Sequence, residues 1–259
     1  MGPEVYFWYA GAQAAICAWS FWLWRAKSAP GSALLAMITA TFAYDNLVLA
    51  SGHLIGLGEP LELLSRYRYA FYVINAALFP LAAARIGAAA GLESMRSGPL
   101  RNAVLLCVLV MFGYGLWFSL SGFDLAPSCY EGIVRYSVNV PANQLCFAAQ
   151  EPLIDSGVPL NAVVAHILVT ILGAAILGKR KWPWLFVASM TLFVAEKFPP
   201  ADFGPVVTNA VMICWLLGFV VSSQRFASPS VADEDPLESG LDFTDTSAFA
   251  TRVFEKWNP

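Results

Sequence analysis

Asp45 is the residue of this chain best placed to do chemistry. It lies in Phe42-Ala43-Tyr44-Asp45-Asn46-Leu47-Val48, inside an otherwise apolar stretch from Ser32 to Ile55. A carboxyl in the middle of a segment long enough to cross a bilayer costs a few kcal/mol by insertion scales, and such groups are usually kept for function. Desolvation disfavours the anion. A neutral carboxylic acid among aromatic rings is suited to protonating an olefin or epoxide of a lipophilic molecule, with nearby π faces attracting the resulting cation.

Other polar groups fall at comparable positions. Arg68, Tyr72 and Asn75 recur at i, i+4 and i+7, which puts them on one face of a helix. Asn46 and His53 are seven apart, roughly one face of the preceding segment, with Asp45 and Tyr44 on its flank. His166, Tyr114, Ser189 and Asn209 lie in later apolar runs, and Gln13 in the first. At 1.5 Å per residue from the nearer end, Asp45 is ~12 Å deep and Asn75 ~10 Å. The others fall at similar depth, so the sequence predicts a polar pocket in one half of a bundle. Asp45, Asn75 and His166 are expected near its floor. Asparagine, tyrosine, serine and glutamine also serve as plain interhelical hydrogen bonders, each worth under ~1 kcal/mol on average. Glu196, next to Lys197, could be a further proton-handling group or half of a surface ion pair.

The elements that must position these residues follow from hydropathy. The chain has 259 residues, 58% hydrophobic and 13% charged, against about 25% charged in a soluble domain. Its mean hydropathy is +0.60. Apolar runs recur at Val5–Trp24, Ala33–Leu54, Tyr69–Ala90, Ala103–Leu120, Pro159–Leu177, Trp182–Glu196 and Phe203–Ser222. Each approaches the ~20 residues that a helix needs to span ~30 Å of hydrocarbon. Phe198-Pro199-Pro200 separates the last two, because Pro-Pro breaks a helix. The expectation is an all-α membrane protein with seven transmembrane helices spanning residues 1–226.

Orientation follows from the basic residues. Arg25, Lys27, Arg96, Arg101, Lys179, Arg180, Lys181 and Arg225 border the loops of one side. Arg66, Arg68, Arg135 and Lys197 on the other are mixed with acids. The positive-inside rule then places the N-terminus outside and the C-terminus in the cytoplasm, in a cell membrane or the endoplasmic reticulum. Met1-Gly2-Pro3-Glu4 lacks a basic n-region, so the first run reads as a retained anchor. Cys129 and Cys146 share the longest loop, which faces outside; a disulfide there would persist, the alternative being two unrelated thiols. Residues 227–259 are rich in Ser, Asp, Glu and Pro and read as a disordered acidic tail. The tail carries the net charge of −3, and nucleic acid is not an expected partner. The expected partners are the bilayer and a lipophilic small molecule.

The pair Tyr44-Asp45, with its flanking residues on the second run, resembles the aromatic-acid pair of the small seven-helix integral membrane terpene cyclases. Chain size and helix count are similar too. The resemblance implies acid-initiated conversion of an isoprenoid, with Asp45 as the acid and no metal or organic cofactor. The last run holds no carboxylate, so Glu196 would have to serve as the second acid. Two other classes remain open. A small-ligand receptor, sensor or proton-coupled transporter would use the same pocket without conversion. A retinal photoreceptor would need a lysine deep in the last run, which has none.

Overall fold

The structure is a computed structural model that describes residues 2–121, 124–154, 160–197 and 204–227. Its helices are α1 (Glu4–Lys27), α2 (Ser32–Ile55), α3 (Glu59–Ala89), the single turn α4 (Glu93–Arg96), α5 (Pro99–Ser121), α6 (Leu160–Arg180), α7 (Trp184–Lys197) and α8 (Gly204–Arg225). Four short strands lie between α5 and α6: β1 (Ala126–Tyr130), β2 (Ile133–Ser137), β3 (Asn139–Val140) and β4 (Leu153–Ile154). α2, α3, α5, α6 and α8 are long and apolar enough to cross a membrane. α1 and α7 fall outside that set, α7 because it has only 14 residues.

The connections explain the order of packing. Ser28 takes the left-handed conformation at φ 46° after α1, and its neighbour Ala29 donates to the Leu23 carbonyl at 3.2 Å. Gly31 at φ 78° then starts α2, so the two helices form a tight antiparallel hairpin. Gly56 to Gly58 make the next turn, and Pro60 falls in the first turn of α3, where its missing N–H is tolerated. α3 begins ten residues before the apolar run at Tyr69. Arg66 and Arg68, which hydropathy assigns to a loop, are therefore helical. α3 packs against α2, α5, α6 and α8 and is the most buried of the five long apolar helices, whereas α5 is the least. Leu35, Ile38, Phe79, Ala82, Ile86, Ile176, Leu216 and Phe219 form the centre of the core. On α5, Leu106, Leu109, Val110, Trp117 and Leu120 face outward.

The long loop is structured, which apolar run lengths do not anticipate. β1 and β2 pair antiparallel around Glu131-Gly132, both at positive φ, a two-residue turn whose twist suits a hairpin. Cys129 and Cys146 are joined by a disulfide that ties β1 to the segment after Ala142–Gln144. The hairpin rests on the bundle: Ile133 packs with Tyr6, Leu49 and Ala50. Gly52 allows this approach, since a Cβ there would sit 1.9 Å from the Val134 carbonyl oxygen.

Candidate functional site

Two distinct environments lie close together in this bundle. The first is charged and sits beneath the β1–β2 hairpin, toward the α2–α3 turn. Asp45 on α2 accepts the Nε–H of Arg68 on α3 at 2.7 Å. Arg68 is 8% exposed, while the Asp45 side chain keeps 27%. Helix spacing had placed Arg68 in the pocket but not as the carboxyl's partner. The pair supplies the counter-charge that a carboxylate among apolar helices needs, and it makes Asp45 an acceptor in this state. Arg68 also lies over the Tyr69 ring at 5.5 Å. Tyr69 donates to Ser137 Oγ at 3.1 Å, joining α3 to the hairpin.

Arg135 on β2 belongs to the same cluster. Its guanidinium lies below the usual arginine value, chiefly because burial disfavours the charge, with Arg68 acting in the same direction and Tyr69, Tyr6 and Asp45 opposing. Arg135 Nη2 donates to Gln144 Oε1 at 3.3 Å. Sequence reasoning counted Arg135 only as a loop cation; its spacing of two from buried Ile133 and Ser137, on one face of a short strand, was the missed signal. Around the cluster, the Tyr44 hydroxyl donates to the Leu64 carbonyl at 3.0 Å. Asn46 Nδ2 donates to Gln13 Oε1 at 2.8 Å and ties α2 to α1. Asn75 donates to Thr41 Oγ1, which ties α3 to α2.

The second environment is an apolar cavity of about 600 Å³ among α2, α3, α6, α7 and α8. Phe42, Tyr72, Phe79, Phe193 and Trp215 contribute rings, and His166 is the ionisable group in its wall. Phe79 and Trp215 stack at 4.2 Å between centroids, and His166 stacks on Trp215 at 5.5 Å. Ser189 fixes this arrangement from α7. Its carbonyl accepts the Nε2–H of His166 at 2.7 Å, and its hydroxyl accepts the Trp215 indole N–H at 2.8 Å. Nε2 is thereby committed as a donor. Val163, Ile167, Ile171, Met190 and Phe193 line the cavity and are themselves exposed, so it is open on the α6–α7 side.

The expected single floor is thus divided. His166 and Tyr72 belong to the cavity, whereas Asp45, Asn75 and Arg68 are not among its lining residues. His53 is exposed at the end of α2. Tyr114 on α5 contacts Trp117 and Phe118 of its own helix, and Asn209 is half-buried on α8. The side chain of Glu196 lies outside the described residues, as do residues 228–259. Among the described residues no group of three or more His, Cys, Asp or Glu could hold a metal ion. Trp215, Phe79 and Phe193 went unnoticed in the sequence because single aromatics in apolar runs carry no signal of which face they occupy. No protein-family model and no curated protein matches this chain.

Proposed function

We propose that this is an integral membrane protein crossing the bilayer seven times, with its N-terminus and β-hairpin outside and residues 227–259 in the cytoplasm. Its bundle takes up a lipophilic, isoprenoid-like small molecule and converts it by proton-initiated chemistry. The five long apolar helices support the membrane reading directly. α1 is long enough at 24 residues, and α7, ~21 Å long, would span with local thinning of the bilayer. The observation that carries the functional reading is the aromatic cavity. Its volume of about 600 Å³ falls within the ~300–1,000 Å³ of small-molecule sites. Its opening on the α6–α7 side suits a ligand arriving through hydrocarbon.

In this reading the rings of Phe79, Phe193 and Trp215 stabilise positive charge on the substrate through their π faces. His166 accepts the proton released at the end of the reaction. Asp45 stands one turn beyond Phe42 on α2. To act as the acid it must leave Arg68, take up a proton from water at its exposed edge, and pass that proton to the substrate, which returns it to the carboxylate form. That ion pair is also the observation favouring a second reading, in which the same cavity binds a ligand without converting it, as in a receptor or transporter.

The test is the small-molecule content of the protein purified in mild detergent, read by extraction and mass spectrometry. The wild type should carry a bound isoprenoid or related lipid. Ala162→Trp, which places a large side chain in the cavity wall, should lose at least about 90% of it, on the ground that a filled site cannot hold a drug-sized ligand. Equal ligand content in both proteins, or none in the wild type, overturns the proposal. Conversion of added substrate separates the two readings: if Asp45→Asn folds and retains full conversion, Asp45 is not the acid.

A further inference from the structure

We propose that Arg68 and Arg135 bind the anionic head, carboxylate or phosphate, of an amphiphile whose chain lies in the aromatic cavity. The inference rests on the cavity being a ligand site and names the chemical class of what enters it. Three observations support it. First, Arg68 is more than nine-tenths buried, and its Nη1 is a buried donor without a hydrogen-bond partner among the described residues. Asp45 is engaged through Nε only, leaving a charged donor that an anion would satisfy.

Second, the charges do not balance. Arg135, on the hairpin that packs over α2 and α3, is within electrostatic reach of Arg68 and Asp45, so that among the described residues two guanidinium groups share one carboxylate there. Excess positive charge in a poorly solvated place is costly unless an anion joins it. A single water could meet Nη1 but would leave the charge in place.

Third, the cluster lies within about one helical turn of the cavity wall along both α2 and α3. Asp45 is three residues beyond Phe42 on α2, and Arg68 is four residues before Tyr72 on α3. Both offsets point toward the α2–α3 turn, a rise of ~4.5 and ~6 Å from the cavity wall. A chain among the rings of Phe42 and Tyr72 would therefore end its head beside the two arginines. The hairpin that carries Arg135 covers this end, so the head would be enclosed.

Binding by the full-length protein in detergent, followed by tryptophan fluorescence against detergent-only blanks, tests this. The probes are farnesol, farnesoic acid, farnesyl phosphate and inorganic phosphate. The two anionic amphiphiles should bind roughly tenfold or more tightly than farnesol, the size expected of one charge-assisted hydrogen bond. Arg135→Gln leaves the Asp45–Arg68 pair and Arg68 Nη1 intact; it should cut that preference severalfold while leaving farnesol binding unchanged. Arg135→Lys, which keeps the charge, should restore most of it. Millimolar inorganic phosphate should compete with farnesyl phosphate and not with farnesol. Equal binding of neutral and anionic probes by the wild type overturns this inference alone, as does an undiminished preference in Arg135→Gln. Inorganic phosphate binding as tightly as farnesyl phosphate identifies a free-anion site and overturns the amphiphile assignment. Failure of all three farnesyl probes to bind overturns the proposed function together with it.

Discussion

The hairpin end of the bundle and the α6–α7–α8 cavity differ in what holds them together. Beneath the hairpin, Asp45 and Arg68 are ordered by charge, and Arg135 is held by its hydrogen bond to Gln144. In the cavity, His166, Phe79 and Trp215 are ordered by ring stacking and two hydrogen bonds to one serine. The charged end is covered by a disulfide-tied hairpin, whereas the cavity is open on the α6–α7 side. A bundle so arranged can close over a polar group while admitting an apolar one sideways. The difference also separates the effects of substitution: loss of a charge partner should be severe, loss of neutral glue mild.

Arg68→Leu should have the largest effect. It strands Asp45 in a poorly solvated place, and breaking a buried pair costs about 3–5 kcal/mol. The low end applies, because the Asp45 side chain keeps 27% exposure. Thermal unfolding of the detergent-solubilised protein would measure it, and Asp45→Asn combined with Arg68→Leu should recover part of the loss. If Arg68→Leu alone unfolds like the wild type, the charged end is not held by this pair.

Cys129→Ser comes next. The disulfide closes a loop of separation 17, and a crosslink of that size stabilises by about 3 kcal/mol in the chain-entropy account. A reducing agent should lower the unfolding temperature of the wild type and leave the variant unmoved. Because Arg135 rides on the hairpin while the cavity rings do not, reduction should weaken retention of an anionic ligand and leave that of a neutral one unchanged. Loss of a neutral cavity ligand on reduction would make the cavity itself depend on the hairpin and break the comparison.

Asn46→Leu should have the smallest effect. It removes the bond to Gln13, and interhelical hydrogen bonds of this kind average about 0.6 kcal/mol. A loss above about 2 kcal/mol would mean that the α1–α2 amide pair, and not the ion pair, anchors this end.

Much of the helical layout was legible in the chain because a span is defined by local apolar length. The break at Phe198-Pro199-Pro200 could be read in advance: α7 ends at Lys197 and α8 begins at Gly204. The N-terminal third of α3 could not, since Glu59 to Arg68 are polar enough to resemble a loop and are helical because the turn at Gly58 and the packing against α2 continue the helix. The hairpin was missed because five-residue strands leave a weak trace beside seven long apolar runs, although Glu131-Gly132 was its turn signal.

Sequence alone was enough to mark Asp45 as an expensive group, to pair Cys129 with Cys146, and to find the helices. Hydropathy is a one-dimensional property, and it survives without knowing how any helix is rotated. Which group meets Asp45, and which rings surround His166, depends on rotation, tilt and the seating of a loop on the bundle. Only the tertiary structure decides those. It gave Asp45 to Arg68, brought Arg135 in from a loop, and set His166 among aromatic rings in a separate cavity.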